Sequence, residues 1–425
     1  MKVMVIGSGG REHVIIKKLK ENPQIQTIYA LPGNGGIAND AVCVNIGVKD
    51  IDAQVRFAVE NQINYAVVTP DDPLVLGAVD RLTEAGIPCF GPTQRAAMIE
   101  GSKVFAKELM KKYGIPTAEY ETFDNADAAM DYIRAKNRYP VVIKADGLAL
   151  GKGVLICENM QQAADGIKEI MLDKKFGASG NRVVVEEYLS GPEVSVLAFT
   201  DGKTLIPMIS SMDHKRSGDF DTGLNTGGMG TIAPNPYYTK EIAQECVKTI
   251  FLPTVRAMNA EGRTFKGCLY FGLMLTKNGP KVIEYNCRFG DPEAQVVLPL
   301  LNEDLFTIMR AVTDGTLSQT SVTFRNSHAV CVIMASQGYP QSYATGFPIS
   351  MDAQVKDNIF FAGVKSEDGI LKTAGGRVLG VTAVANTAEK AMQSAYEAVE
   401  HIHFENAFFR HDIGAKACAA YKKSE

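Results

Sequence analysis

The chain has 425 residues, 46% hydrophobic and 22% charged, with a formal net charge of -4 at pH 7. That balance supplies no general attraction for nucleic acid or an anionic membrane, and no apolar run approaches the roughly 20 residues that span a bilayer. Length implies about three domains at roughly 150 residues each, and eight scattered cysteines with no CxxC pair read as reduced thiols in a cytoplasmic protein.

The first hundred residues alternate strand-like and helix-like segments: KVMVIG, a helix from Glu12, QTIYAL, YAVVTP, a helix near LVLGAVDRLTEAG, and IPCFG. This βαβ alternation predicts a parallel sheet covered by helices. GSGGRE at 7–12 directly follows the first strand, where glycines let backbone N–H groups approach an anion at a helix N-terminus. A dinucleotide reading fails because Glu12 stands where GxGxxG needs glycine, and YALPGN lacks the acid expected after the second strand. A phosphate or phosphosugar near Arg11 and a plain tight turn remain equal alternatives.

After GPTQ a polar helical stretch, AAMIEGSKVFAKELMKKYG, ends at Gly114 with Pro116 just beyond and marks a domain boundary. From 117 to 190, TAEYETF, NADAAMDYIRAK, YPVVIKAD, GVLICE and RVVVEEYL predict a compact α+β unit. Inside it, KADGLALGKG at 144–153 is flanked by strands. It is no Walker A loop, since three residues separate Gly147 from Gly151 and Gly153 follows Lys152. It suits a hairpin flap whose amides cover nucleotide phosphates while Lys144 supplies a point charge; a solvated surface hairpin is the plainer alternative.

In VVVEEYLSGPEVS at 183–195 a valine strand leaves the core where Glu186 and Glu187 appear. Backbone groups there can meet an adenine edge and Glu193 can accept from ribose hydroxyls, although adjacent acids usually face water. SMDHKRSGDFDTGLNTGGMG at 211–230 carries five glycines and reads as a functional loop, with amides around Thr226, Gly227 and Gly228 as an anion nest; a disordered surface loop is the alternative.

Segment 191–325 holds EVSVLAFT, TLIPMIS, GCLYFGLMLT and PKVIEYNCR with two long helices, which predicts a mixed or antiparallel sheet. In VIEYNCR at 282–288, side chains of Glu284, Asn286 and Arg288 share one strand face. Glu284 and Asn286 offer the hard oxygens Mg2+ prefers, and Arg288, about 13 Å along the strand, suits a carboxylate or phosphate. Mutual pairing on a solvated face is the alternative, and Asp291 and Glu293 in FGDPE read as caps. The last hundred residues hold HAVCVIMAS, GGRVLGVTAVA and a helix over TAEKAMQSAYEAVEHI.

VIGSGGREH, PGNGG, EGSKVFAKELM, VIKADGLALGKGV, EEYLSGPEVS, DHKR, NTGGMG, VIEYNCRFGDPEAQ, GGRVLGVTA and RHDIG occur in this order over nearly the whole chain. Together they resemble the glycinamide ribonucleotide synthetase (phosphoribosylamine-glycine ligase) family of ATP-grasp enzymes. The resemblance implies an α/β and α+β multidomain fold: an N-terminal parallel βαβ domain at 1–102, an ATP-grasp domain of two α+β subdomains at 103–325 with its flap subdomain at about 117–190, and a C-terminal α+β domain at 326–425. It implies ligation of glycine to 5-phosphoribosylamine through glycyl phosphate, giving glycinamide ribonucleotide, ADP and phosphate in de novo purine biosynthesis.

The same resemblance implies ATP as a substrate, Mg2+ as cofactor with Mn2+ as a substitute, and a monomer without nucleic-acid or membrane partners. Lys103, Lys144, Gly147, Gly151, Lys152 and Gly153 are then expected at the ATP phosphates, Glu186, Glu187 and Leu189 at adenine, and Glu193 at ribose. Glu284 and Asn286 are the metal ligands, and Arg288 and Lys144 the catalytic pair. Arg288 takes an anionic substrate group, with Gly9, Gly10, Arg11, Asp213, Lys215, Thr226 and Gly227 near the phosphosugar. Departures from the family pattern fall at Asp71, where glutamate is common, Leu150, where alanine is, and Leu224, where proline is; they bear on affinity and not on reaction type. A bicarbonate-activating ATP-grasp carboxylase and a non-catalytic nucleotide-binding module are the alternatives.

Overall fold

The computed structural model describes residues 1–149 and 153–424. Its N-terminal sheet takes β1 (Lys2–Gly7), β2 (Thr27–Pro32), β3 (Val42–Cys43), β4 (Tyr65–Val68) and β5 (Cys89–Phe90) in the order β3-β2-β1-β4-β5, all parallel. Val3, Met4, Val5 and Ile6 are buried without alternation, as a central strand covered on both faces requires. The connections leave β1 and β4 in opposite directions along the sheet, and such a switch opens a crevice at the C-terminal strand ends. Arg11 follows β1 and Asp71 follows β4, so both reach that crevice.

The polar helical stretch after GPTQ forms two helices, Gln94–Gly101 and Lys103–Lys112, and not one. Ser102 breaks it in extended conformation (φ -141°), accepting from Phe105 N–H and donating to Asp146 Oδ1 at 2.8 Å. A serine that caps the next helix offers the backbone an alternative to continuing the first. The break leaves Glu100 at the end of one helix and Lys103 at the start of the other.

The flap unit is an antiparallel sheet of β6 (Tyr120–Phe123), β7 (Val141–Ala145), β8 (Val154–Cys157) and β9 (Val183–Glu187) in the order β6-β9-β7-β8. β7 and β8 form the expected hairpin around the glycine-rich loop. Leu150, Gly151 and Lys152 lie outside the described residues. Helix Ala126–Lys136 covers this sheet with Ala129 and Ile133 against Ile143, Val183 and Val185.

Downstream lie β10 (Glu193–Thr200), β11 (Leu205–Pro207), β12 (Met212–Asp213), β13 (Arg216–Gly218), β14 (Thr222–Asn225), β15 (Gly230–Ala233), β16 (Gly267–Thr276), β17 (Gly279–Asn286) and β18 (His328–Ser336). β11-β10-β16-β17 is antiparallel. β12 and β15 join β18 and the strands Arg377–Ala385 and Ile359–Phe361 in another antiparallel sheet, so the 211–230 segment is ordered structure spliced to the C-terminal part of the chain. The β13–β14 hairpin is strapped from the same side: Arg410, fully buried, donates to Asp221 Oδ1 at 3.0 Å and to the Arg216 carbonyl at 3.1 Å. All eight cysteines are free thiols, and seven are buried. Among the described residues no helix is long and apolar enough to cross a membrane.

Candidate active site

A cavity of about 1090 Å3 opens between these sheets, with Arg11, Lys103, Lys144, Asp213, Glu284 and Arg377 among the side chains that line it. β17 supplies its floor. The strand pairs antiparallel with β16, setting Glu284 opposite Gly272, where a Cβ would come within 2.9 Å of the Glu284 Cγ. Tyr285 turns to the core and bonds Thr254, while Glu284 and Asn286 face the cavity. β17 ends at Asn286, so Arg288 reaches the cavity from beyond the strand and not as the third member of a continuous row.

Lys215 Nζ lies 3.4 Å from Glu284 Oε1 and 3.5 Å from Glu193 Oε2. That ammonium, with Lys144 and Lys103 behind it, holds the Glu284 carboxyl down at about 2 against the opposing effect of burial. Asn286 Nδ2 and Arg288 Nη2 both donate to Glu100 Oε1, at 3.0 and 2.7 Å, and Cys287 N–H donates to Glu100 Oε2 at 2.7 Å. Burial pushes the Glu100 carboxyl up, while the Arg288 guanidinium pulls it down. An ionised carboxylate that already attracts an ammonium, beside a carboxamide, is a donor set that fits Mg2+.

The next wall is cationic. Lys144 on β7 and Lys107 on helix Lys103–Lys112, both buried, pair with the two oxygens of Glu186. Lys144 Nζ also donates to the Ile283 carbonyl at 3.0 Å. Burial brings Lys107 down to about 8, with Glu186 opposing the shift. Glu186 lines the cavity on the face of β9 opposite the buried Val183 and Val185, but its carboxylate is taken up by those two ammoniums. Glu187 points the other way, accepting from Lys281 at 2.9 Å. Lys103 Nζ donates to the Gly147 carbonyl at 2.9 Å, and burial lowers its affinity for a proton. Gly153, Leu189 and Glu193 also line the cavity.

Two expected anion cradles are closed. Gly9 N–H donates to Glu12 Oε2 at 2.6 Å, and Arg11 pairs with Glu12 Oε1 at 2.5 Å while donating to the Phe289 carbonyl at 3.2 Å. Glu12 thus supplies from within the anion that the helix N-terminus beside Gly9 and Gly10 was expected to bind. Thr226 N–H goes to the Lys215 carbonyl, Gly227 N–H to Tyr339 OH and Gly228 N–H to Thr226 Oγ1, so these amides form no open nest. Asp213 does reach the cavity; burial, then Glu293, pushes its carboxyl well above the usual range.

Sequence reasoning missed four participants. Arg377 and Tyr339, from the far end of the chain, enter the cavity wall; Arg377 Nη1 donates to the Gly227 and Asp291 carbonyls at 2.9 and 2.8 Å. The arginine opening GGRVLG, at the edge of an apolar run, was its signal. Glu100 and Lys107 sit in EGSKVFAK, where an acid just before a capping serine and a second lysine on the same helix were visible but unassigned.

Three family models described as Phosphoribosylglycinamide synthetase match in succession: the N domain at residues 1–100, the ATP-grasp (A) domain at 101–294 and the C domain at 329–416. A phosphoribosylamine–glycine ligase of Clostridium acetobutylicum is 46% identical over 414 residues, 97% of this chain and 99% of that protein. One from Vibrio cholerae is 45% identical over 425 residues, 99% of each. Among solved structures, a phosphoribosylamine–glycine ligase of Thermotoga maritima superposes with a TM-score of 0.85 at 34% identity, covering 97% of this chain and 100% of that one. The biotin carboxylase domain of Hydrogenobacter thermophilus 2-oxoglutarate carboxylase reaches a TM-score of 0.74 at 17% identity over 96% of this chain and 91% of that one, a likeness of fold alone.

Proposed function

The chain belongs to the phosphoribosylglycinamide synthetase family, and from that premise we propose that it ligates glycine to 5-phosphoribosylamine with cleavage of ATP, giving glycinamide ribonucleotide, ADP and phosphate. One observation carries the reading: an ionised Glu284 beside Asn286, the ammoniums of Lys103 and the buried Lys144, and the Arg288 guanidinium all border one cavity. ATP-grasp ligases use ATP and Mg2+; Glu284 and Asn286 would hold the cation, which when bound neutralises phosphate charge.

Lys103 and Lys144 add fixed positive charge toward the phosphates, with Leu148, Ala149 and Gly153 beside them. The Glu186 carboxylate is committed to two lysines, which leaves the backbone of Glu187 to Leu189 for the adenine edge and Glu193 for ribose. Arg288 presents a planar fork to glycine's carboxylate, one oxygen of which attacks the γ-phosphorus as ADP departs. The amine of phosphoribosylamine then attacks the carbonyl carbon of glycyl phosphate, phosphate leaves with the bonding pair, and the nitrogen gives up a proton. Alignment and charge neutralisation suffice, without a nucleophilic side chain. Arg11, Asp213, Lys215, Thr226 and Gly227 border the phosphosugar side, with Gly9 and Gly10 behind Glu12.

Further parts of the same reading are Mn2+ in place of Mg2+, units at 1–102, 103–325 and 326–425, and a cytoplasmic monomer. The test is ADP release with glycine and freshly made phosphoribosylamine, each omitted in turn and bicarbonate offered instead. Sustained release is expected only with both substrates; release driven by bicarbonate without glycine overturns the proposal.

A further inference from the structure

Glu100 is 7% exposed, at the end of helix Gln94–Gly101, and its carboxylate receives three N–H donors from consecutive residues: Asn286 Nδ2, Cys287 N and Arg288 Nη2. Cys287 N–H and the Arg288 guanidinium can only donate, so both Glu100 oxygens are already engaged as acceptors. The carboxamide of Asn286 therefore has to turn its NH2 group toward Glu100, and its oxygen is left on the opposite side. Asn286 and Glu284 stand two residues apart on one face of β17, so an oxygen turned from Glu100 lies on the face it shares with Glu284. The two ends of a carboxamide are nearly alike in shape, and packing alone does not choose between them. An oxygen toward a cation attracts it; an NH2 in the same place repels it.

Building on the function proposed above, we propose that Glu100 is a positioning residue that fixes the amide of Asn286 with its oxygen toward the cation and, through the same carboxylate, holds the Arg288 guanidinium beside it. One acid thereby ties the orientation of a metal ligand to that of the group offered to the acid substrate. Both of its oxygens are engaged on residues 286–288, so the tie runs to that one stretch of chain.

The test reads metal binding directly, as free Mn2+ by electron paramagnetic resonance in the presence of ADP. Glutamine at 100 has one acceptor oxygen and an NH2 group, so an N–H of 286, 287 or 288 must face another N–H. For Glu100→Gln the Mn2+ dissociation constant is expected to rise about 10–100-fold, the usual cost of losing an outer partner of a metal ligand, with ADP binding in EDTA and the circular dichroism spectrum unchanged. Glu100→Gln with Asn286→Asp inverts the bond, glutamine NH2 to an aspartate that presents oxygen either way, and is expected to recover most of the lost Mn2+ affinity. A folded Glu100→Gln that binds Mn2+ like the unaltered protein overturns the inference, as does a double variant no better than the single one.

Should Glu100→Gln fail to fold, Glu100→Asp, with its oxygens drawn back by one methylene, is expected to show the same selective Mn2+ loss, and wild-type binding there overturns it. In the unaltered protein the Asn286 side-chain amide protons are expected to exchange more slowly than those of exposed asparagines; equal exchange also overturns it. Asn286→Ala separates the two readings: unchanged Mn2+ binding in that variant removes the metal site itself, whereas loss there without loss in Glu100→Gln removes only the role of Glu100.

Discussion

Glu100 and Arg288 stand 188 positions apart in the chain and meet at 2.7 Å, an acid at the end of an N-terminal helix gripping a guanidinium just past the end of β17. Arg288 is thus held firmly at Nη2 and only by a long bond of 3.4 Å, to the Phe289 carbonyl, at Nη1. Arg288→Lys keeps the charge but loses the plane that a second hydrogen bond needs. Affinity for glycine or the phosphosugar is expected to fall about tenfold or more, in line with one charge-assisted hydrogen bond of roughly 1.5–3 kcal/mol. Steady-state KM values for each substrate check this, and unchanged values for both contradict it.

Glu284→Ala removes the carboxylate that Lys215 keeps ionised. Turnover is expected to vanish at any practical Mg2+ concentration while the melting temperature changes little, because the Glu284–Lys215 pair is long and about one-third exposed on both sides. Near-normal turnover would discard the metal assignment.

Glu186 holds two buried ammoniums apart. Glu186→Ala leaves both uncompensated, and breaking a buried ion pair on one side costs about 3–5 kcal/mol. Denaturant unfolding measures it, with Glu187→Ala as the comparison: that carboxylate is half-buried and its bond to Lys281 contributes at most about 1 kcal/mol. Equal losses for the two variants would show that Glu186 is not the buried counter-ion described.

His214 is buried, with Nδ1 facing the Gly230 carbonyl at 3.1 Å and Nε2 facing Gly414 N–H at 3.4 Å, a set that suits the neutral ring. Burial, then the nearby Arg410, lowers its proton affinity from 6.5 to about 4. The unfolded chain therefore binds the extra proton between those values, so stability contributed by the neutral ring is present above pH 6.5 and falls as pH drops toward 4, by at most about 1.4 kcal/mol per unit. Urea midpoints across this window are expected to flatten in His214→Gln. An unchanged slope would place the acid lability elsewhere.

Arg377→Ala opens the wall at Gly227 and Asp291 on the side away from β7 and β9. KM for phosphoribosylamine is expected to rise with KM for ATP nearly constant. A larger effect on ATP would put the phosphosugar elsewhere in the cavity.

What was legible followed from local chemistry. The alternation of KVMVIG and QTIYAL with helical segments gave the parallel sheet, the strands around KADGLALGKG gave the hairpin, and Glu284 and Asn286 on one face of β17 needed only the two-residue period of a strand. What stayed hidden depends on partners distant in the chain. Nothing in VVVEEYL says that Glu186 will meet Lys107 and Lys144, nothing in GSGGRE says that Glu12 will turn back onto Gly9, and NTGG reads as an open nest until Tyr339 and Lys215 arrive to use its amides. The helix break at Ser102 was readable as a cap but was outweighed by the helix formers on both sides.

The strap from Arg410 sets an order of events during synthesis. The ribosome makes the Arg216 carbonyl 194 positions before the side chain that binds it. At about 5–20 residues per second that interval lasts roughly 10–40 s, during which the β13–β14 wall of the cavity lacks its buried fastening. A chain released a few codons before Arg410 would therefore carry every proposed metal and phosphate contact while leaving that wall unsecured.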